Sequence, residues 1–327
     1  MTKISRSADP VDIARYGPYG LSAAPTSATI SARRGPTFPG RLTVDGSSGW
    51  PAEPGRYHLY AAHPCPFSHR VMIVRALKRL EEAISVSVLD PMRDGRGWAF
   101  RVGDGHGLDQ VNGFAYLREA YKASDPAYEG HVSTPVLWDR RTCRIASNDF
   151  RSLDLDVATA FDAWARVDVN LYPEGLRGEI DELNVFLFER VHNGPYRCGF
   201  ARDQRSYDTE ARSLFAALDE LEIRLADHRY LLGERITLSD VRLWVTLVRF
   251  DAVYATHFKA TLRRIVDYPN LWGYARDLYA NPAFGTTTNF DHITRHYYGT
   301  HTWINPLGIV PLRPDVDWNA PSKRAHF

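Results

Sequence analysis

The chain has 327 residues, of which 44% are hydrophobic and 24% are charged. This composition supplies enough apolar side chains for a large core, and the length favours about two domains. The 40 basic and 39 acidic residues nearly cancel. With no run of like charge, nothing in the sequence favours binding to nucleic acid or to an anionic membrane surface.

The sequence carries no signal for export or membrane insertion. Its N-terminus lacks the apolar run of a secretory signal, and no stretch reaches the roughly 18 consecutive apolar residues of a membrane span. The three cysteines, Cys65, Cys143 and Cys198, are too widely spaced to indicate a disulfide framework. We therefore expect a cytoplasmic protein whose thiols are reduced.

Residues 1–54 are rich in Ser, Ala, Gly, Thr and Pro and show no sustained period. This composition predicts an extended N-terminal arm that is partly ordered by packing on the rest of the protein.

Residues 55–162 show the pattern of a small mixed domain. Strands are predicted at 57–62 and 83–90 on either side of a helix at 66–82, which favours a parallel pair with a right-handed crossover. A polar insertion at 91–131 contains a short helix candidate, "FAYLREAYKA". A hairpin made of "STPVLWD" and "TCRIASND" and a helix at 149–162 follow. This order is that of a thioredoxin-like, thiol-binding domain.

Residues 163–327 contain only helical patterns. Leu214, Leu218, Leu221 and Leu225 repeat at helical spacing, as do Leu176, Ile180, Leu183, Leu187 and Val191. Thr237 and Asp240 form a capping box at the start of another helix. The predicted fold class is therefore α/β followed by an all-α domain.

Cys65 lies in "HPCPFSHR", where the first predicted strand meets the helix. Pro66 suits the first helical position, so Cys65 is at or next to the N-cap. A helix N-terminus stabilises the thiolate, which is the nucleophilic form of cysteine. One alternative is a buried structural cysteine. The other is a metal ligand together with His63 and His69, although no further Cys or His at a zinc-finger spacing completes a set of four ligands.

Ser68 occupies the position of the second cysteine in a Cys-x-x-Cys motif. This serine argues against a dithiol mechanism, so we expect one protein thiol to react and a small-molecule thiol to complete the redox cycle. Cys143 and Cys198 are predicted to be structural or incidental.

The chain resembles the Xi class of glutathione transferases, the glutathionyl-hydroquinone reductases, over residues of about 55 to 318. The similar stretches include "GRYHLYAAHPCPFSHR", "GWAF", "TPVLWD", "LYPEGLRGEIDELN" and "FDHITRHYYGTHTWINPLGIVP". The resemblance implies a thioredoxin-like domain followed by the helical domain of a glutathione transferase. In this family the helical domain (here residues 163–327, with a C-terminal tail) serves substrate binding and dimerisation, so the resemblance also implies a homodimer.

The resemblance also implies a reaction. Cys65 attacks the sulfur of a glutathionyl-hydroquinone, hydroquinone leaves, and a second glutathione resolves the mixed disulfide. Tyr254 and Tyr297 correspond to family tyrosines that assist the aromatic leaving group. A phenol is suited to hydrogen bonding a quinol oxygen.

The resemblance assigns the thiol-binding residues as well. Trp98 packs along glutathione, and Thr134 pairs with its cysteinyl part through the backbone before a cis Pro135. The family holds the γ-glutamyl end with Glu-Ser, but here Asp149 and Phe150 stand at those positions. His131 replaces a family arginine and is a residue type mostly uncharged at pH 7.

Further departures lie beside the cysteine, where Phe67 and Ser68 replace the family's Trp-Ala. Loss of an arginine fork and a serine hydroxyl weakens recognition of glutathione's carboxylates. We therefore keep two hypotheses for the co-substrate: glutathione through shifted contacts, or another thiol such as the sugar thiol mycothiol. No metal cofactor is expected. Thioltransferase or dehydroascorbate-reductase-like activity, and a non-catalytic aromatic-binding protein, are the alternative functions.

Overall fold

The computed structural model of the protein describes residues 6–19 and 35–324. The centre of the predicted N-terminal arm, residues 20–34, lies outside the described residues. The chain divides into two compact units. The first contains Gly35–Val169, Asp291–Thr302 and the N-terminal segment before the gap, and the second contains Asn170–Phe290 and the residues from Trp303 onward.

The first unit is built around a four-stranded sheet in the order β2-β1-β3-β4. The strands are β1 Tyr57–Ala61, β2 Ile84–Val88, β3 Val136–Asp139 and β4 Arg144–Ser147. β1 pairs in parallel with β2 and antiparallel with β3, and β3 pairs antiparallel with β4. The predicted parallel pair and hairpin are both confirmed.

The described residues contain twelve α-helices, several of them only one turn long. In chain order they are α1 Ile13–Tyr16, α2 Pro66–Leu77, α3 Arg118–Ser124, α4 Leu153–Ala160, α5 Arg177–Phe186, α6 Gly194–Gly199, α7 Gln204–Arg224, α8 Leu238–Arg249, α9 Ala255–His257, α10 Pro269–Tyr279, α11 Pro282–Gly285 and α12 Phe290–Thr300. Segments Leu187–His192 and Phe250–Tyr254 are π-helical, and Asp162–Trp164, Glu174–Leu176 and Ile265–Asp267 form short 3₁₀ turns.

Helix α2 begins where the sequence predicts and ends earlier. Pro66 occupies the first turn, and the predicted apolar residues Val71, Ile73 and Leu77 are buried. The predicted end at 82 is wrong, because Arg79 adopts a left-handed conformation with φ of 50°. An α-helix cannot continue through such a residue.

The regular elements of the second unit, all of them between Asn170 and Phe290 in its described residues, are helices. The predicted stripe of Leu214, Leu218, Leu221 and Leu225 is buried along and just beyond α7. At the start of α8, Asp240 accepts hydrogen bonds from the Thr237 N–H at 2.7 Å and from its hydroxyl at 2.9 Å. The predicted capping box is present. The fold class, a thioredoxin-like domain and an all-helical domain, is confirmed.

Two histidines join helix α12 to the insertion at 91–131. The His292 ring lies with Nε2 2.7 Å from the Asp104 carbonyl oxygen, and His296 has Nδ1 2.6 Å from the Pro91 carbonyl oxygen. A carbonyl oxygen only accepts, so each of these ring nitrogens carries a proton and donates it. The insertion at 91–131 is therefore ordered in part by a helix near the other end of the chain.

Among residues 6–19 and 35–324, no helix is both long enough and apolar enough to cross a membrane.

Candidate active site

Cys65 is the N-cap of α2, and its side chain is partly exposed. The backbone is extended there, with φ of −73° and ψ of 117°, and Pro66 follows in the first turn. The sulfur therefore sits at the end of the helix where amide N–H groups lack intrahelical partners. Such a position stabilises a sulfur that carries negative charge.

The thiol is oriented by the loop before β3. Sγ of Cys65 donates to the Thr134 carbonyl oxygen at 3.2 Å. The Thr134–Pro135 peptide bond is cis, as the resemblance implies. The structure thus brings together three of the predicted site residues.

Ser68 connects the helix to this loop. The Thr134 hydroxyl donates to the Tyr60 carbonyl oxygen at 3.1 Å, and its oxygen lies 2.9 Å from the Ser68 hydroxyl. Because Thr134 gives its proton to a carbonyl, Ser68 is the donor in the second bond. The residue that stands in place of a second cysteine therefore fixes the loop that orients the first.

Phe67 and Phe150, two departures from the family pattern, are in contact. Their ring centres are 4.6 Å apart and the planes meet at 52°. The guanidinium of Arg70 lies 4.9 Å from the Phe67 ring centre, and that of Arg151 lies 5.4 Å from the Phe150 ring centre. Both rings are partly exposed. They form one aromatic surface, flanked by two cations, on the helix start that carries Cys65.

The Asp149 carboxylate is engaged in the turn before α4. One oxygen accepts from the Arg151 N–H at 3.0 Å and the other from the Ser152 hydroxyl at 2.7 Å. A ligand that used this carboxylate would share it with both donors. Asp149 is adjacent to Phe150 in the chain, so the two positions of the family's Glu-Ser pair do lie together.

Trp98 is only 4% exposed. Its indole stacks on His296 with ring centres 5.0 Å apart and an interplanar angle of 14°. The Arg93 guanidinium lies 4.7 Å from the same indole. Trp98 therefore serves as a packing centre for α12, and little of its surface is left for a ligand.

His131 is exposed at the start of the loop that leads to β3. Its ring contacts Tyr19 at a centroid distance of 5.3 Å. Tyr19 also bridges the neighbouring Val132, accepting from its N–H at 2.7 Å and donating to its carbonyl at 3.1 Å. A tyrosine from the N-terminal arm thus contacts the position where the family has an arginine.

The two predicted tyrosines belong to different units. Tyr297 lies on α12 in the first unit, is 2% exposed and contacts His296 and His301. Tyr254 lies in the second unit, is 1% exposed and is stacked on Phe258.

Tyr196 is a candidate that the sequence analysis missed. Its ring contacts Tyr254 at 5.8 Å and Phe258 at 5.0 Å, and it is partly exposed, whereas Tyr254 is buried. Of these two phenols of the second unit, Tyr196 is the more exposed. Its segment, "NGPYRCG", offers no periodic pattern that would have singled it out.

Histidines gather beside the cysteine segment. His63 meets His292 edge-on at 5.3 Å, and His106 meets it at 5.4 Å. Burial is the main cause that lowers the pKa of His292 below its ordinary value, so this ring is uncharged at neutral pH. Among residues 6–19 and 35–324, no group of three or more His, Cys, Asp or Glu side chains is arranged to hold a metal ion.

The other two cysteines lie in different surroundings. Cys198 is 2% exposed, and burial raises the pKa of its thiol to about 12. Cys143 is exposed in the β3–β4 turn with a φ of 54°. Neither is placed at a helix start as Cys65 is.

Comparisons with known proteins agree with this arrangement. The model of the glutathione S-transferase C-terminal domain matches residues 204–277. The glutathionyl-hydroquinone reductase YqjG of Escherichia coli is 43% identical over 299 residues, which cover 89% of this chain and 91% of the relative. The chain belongs to the glutathionyl-hydroquinone reductase family. A second member of that family, PcpF of Sphingobium chlorophenolicum, is 45% identical over 267 residues, covering 82% of this chain and 85% of the relative.

Solved structures of the family extend the comparison to three dimensions. The Xi-class transferase of Natrialba magadii superposes with a TM-score of 0.88 at 42% identity, covering 90% of each chain. The glutathione-bound structure of YqjG gives a TM-score of 0.86 at 43% identity, covering 89% of this chain and 97% of that one. The predicted Xi-class resemblance and the predicted enzyme class are both confirmed.

Proposed function

We propose that this family member removes a low-molecular-weight thiol from S-conjugated hydroquinones through a mixed disulfide on Cys65. The Cys65 thiolate attacks the sulfur of the conjugate, and a disulfide bond forms as the carbon–sulfur bond breaks. The ring carbon leaves with the electron pair and takes up a proton. A second thiol then attacks the mixed disulfide, releasing the oxidised thiol and regenerating Cys65. One conjugate and one thiol give one hydroquinone and one small-molecule disulfide.

The observation that carries this proposal is the position of Cys65. Cys65 is the N-cap residue of α2, its Sγ donates to the Thr134 carbonyl oxygen, and Ser68 stands where a dithiol enzyme would have a second cysteine. A lone nucleophilic thiol with no resolving partner in the motif requires an external thiol, which the proposed cycle supplies.

The leaving hydroquinone requires a proton donor, and we assign this role to tyrosines. Tyr297 in the first unit and Tyr254 or Tyr196 in the second are the candidates, because phenols both donate to and accept from a quinol oxygen. Tyr196 is favoured over Tyr254 by its greater exposure.

Glutathione is the co-substrate that the relatives favour. One solved relative, YqjG, is described as glutathione-bound. The aromatic surface of Phe67 and Phe150 and the engaged carboxylate of Asp149 supply contacts different from those of a Glu-Ser pair. We therefore keep a sugar thiol such as mycothiol as the second candidate. His131, Thr134 and Pro135 complete the proposed thiol site, to which the buried Trp98 offers little surface. The homodimer stays a prediction.

The proposal is tested with Cys65→Ser, with Cys143→Ser as the matched control. We expect the first variant to lose turnover of glutathionyl-hydroquinone and the second to keep it. Mass spectrometry of the wild-type protein after incubation with each conjugate should find the thiol adduct on Cys65 alone. Turnover by Cys65→Ser equal to that of the wild type would refute the nucleophile. Turnover restricted to mixed disulfides would establish a thioltransferase instead.

A further inference from the structure

Tyr121, on helix α3, is fully buried, and its hydroxyl joins two separate segments of the chain. The hydroxyl donates to the Ser133 carbonyl oxygen at 2.9 Å and accepts from the Ser133 N–H at 3.1 Å. It also accepts from the side-chain amide of Asn148 at 3.0 Å, whereas the Ser133 hydroxyl lies farther away at 3.3 Å. Burial is the main cause that raises the pKa of Tyr121 to about 12, so the phenol keeps the proton that it donates. One donated and two accepted bonds are what a phenol can make.

The Asn148 amide is held in the orientation that this link needs. Its Oδ1 accepts from the Phe38 N–H at 2.9 Å, and its own backbone N–H donates to the Phe38 carbonyl oxygen at 2.9 Å. Because a backbone N–H only donates, the oxygen of the amide faces Phe38 and the nitrogen faces Tyr121. Asn148 is 3% exposed, so both bonds of its side chain are shielded from bulk water.

The link lies where the ladder between strands β3 and β4 ends. At this end of the sheet the last pair is Leu137 with Ser147. Pro135 has no N–H, so it contributes no donor that would extend the ladder. Beyond the ladder, the phenol oxygen of Tyr121 therefore takes over the connection between the two segments.

Both of the connected segments carry residues of the proposed thiol site. Ser133 directly precedes Thr134, whose carbonyl oxygen accepts from the Cys65 thiol. Asn148 directly precedes Asp149, at the position assigned to the far end of the thiol co-substrate. The Tyr121 hydroxyl thus sets the separation between the segment that faces the reactive sulfur and the segment proposed for the other end of the ligand.

Resting on the function proposed above, we infer that Tyr121 is a positioning residue for the thiol co-substrate of this enzyme. A co-substrate whose sulfur meets Cys65 and whose other end reaches Asp149 contacts both segments at once. When the segments are already held at a fixed separation, little ordering is left for the binding step, which favours affinity. A small reagent that meets Cys65 alone gains nothing from this separation. The buried phenol acts through the backbone that it holds.

Two measurements on the same proteins separate these cases, and neither depends on turnover. Isothermal titration with S-methylglutathione, which cannot form a disulfide, gives the affinity for a ligand long enough to contact both segments. The rate at which iodoacetamide alkylates Cys65 reports on the thiol alone. All the proteins carry Cys143→Ser, because Cys143 is exposed and would also react.

The variants are Tyr121→Phe, Asn148→Ala and the two together, with Tyr57→Phe as the matched control. Tyr57 is also fully buried, and its hydroxyl donates to the Pro51 carbonyl oxygen at 2.8 Å. It begins strand β1, whereas Cys65 follows the end of that strand. The control therefore loses a buried hydroxyl of the same unit without touching the link.

We expect Tyr121→Phe to weaken binding of S-methylglutathione roughly 2- to 10-fold, because the two segments must then be ordered during binding. The alkylation rate of Cys65 should equal that of the parent protein. Asn148→Ala should weaken binding at least as much, since it also loses the bond from Phe38. The double variant should bind as Asn148→Ala does, because both substitutions break the same link. Tyr57→Phe should match the parent in both measurements.

Three results would overturn the inference. The first is unchanged affinity of Tyr121→Phe for S-methylglutathione. The second is an equal loss of affinity in Tyr57→Phe, which would indicate general destabilisation. The third is that the losses of the two single variants multiply in the double variant, which would show that they share no link. Failure of the wild type to release hydroquinone from a glutathionyl-hydroquinone would instead refute the proposed function, whatever the binding results.

Discussion

The hydroxyl pair of Ser68 and Thr134 gives a quantitative prediction. Thr134→Val keeps the shape of the side chain but removes the donor to the Tyr60 carbonyl and the acceptor of the Ser68 hydroxyl. Ser68 is fully buried, so its hydroxyl is left without this partner and without water. We expect the free energy of unfolding to fall by about 1–3 kcal/mol, the usual cost of a buried polar group that loses its partner.

Ser68→Ala should cost less. The Thr134 hydroxyl still donates to Tyr60 in this variant, so only one hydrogen bond is lost, with a cost of about 1 kcal/mol. In the double variant neither hydroxyl remains unpaired. The double variant should therefore be more stable than the sum of the single effects predicts, with a coupling energy of about 1 kcal/mol.

Urea unfolding of the four proteins, followed by fluorescence, measures this cycle. Thr134→Ser is the control, because it keeps the hydroxyl and loses only a methyl group. If the sum of the two single-variant effects equals the effect of the double variant to within about 0.3 kcal/mol, the two hydroxyls are not coupled. The hydrogen-bond assignment would then be wrong.

Three further predictions address affinity, thiol reactivity and pH. Phe150→Ser removes one ring of the aromatic surface and restores a hydroxyl donor, so isothermal titration should find tighter glutathione binding; weaker binding would count against the assigned role of this position. A thiol reagent at pH 7 should label Cys143 rapidly in the folded protein and leave Cys198, whose pKa burial raises to about 12, unlabelled until unfolding. The pKa of Asp94 is lowered from 3.8 to about 2, because hydrogen bonds led by that from Arg96 outweigh the opposing effect of burial. A carboxyl whose pKa is lower in the folded than in the unfolded protein stabilises the fold at pH values above its unfolded pKa. This stabilisation is lost as the pH falls toward 2. The stability advantage of the wild type over Asp94→Asn should therefore shrink between pH 4 and 2, and an advantage independent of pH would contradict the assignment.

Local patterns in the sequence were sufficient to predict the main strands and helices. Alternating and β-branched residues located the strands, and helical spacing located the buried side of α7. The capping box at Thr237 was predicted because its two side chains are three residues apart and interact within one turn. The start of α2 was likewise fixed by the proline after Cys65.

Features that depend on contacts between distant segments were not predictable in this way. The end of α2 depends on the backbone of Arg79, which has no pattern of its own in the sequence. Phe67 meets Phe150 because α2 and α4, which are far apart in the sequence, pack against each other. The Arg93 guanidinium contacts the ring of Tyr19, in the N-terminal arm, and the ring of Trp98, in the insertion. Periodicity carries no information about such pairs.

The contact between Phe67 and Phe150 has a consequence for engineering this aromatic surface. The two residues belong to separate segments, yet each ring covers part of the other. Replacing either one alone exposes apolar surface on its neighbour and leaves a gap beside the helix start. The two positions should therefore behave as a single unit in which the effect of one substitution depends on the other. A library that varies them one at a time would miss the combinations that exchange one co-substrate for another.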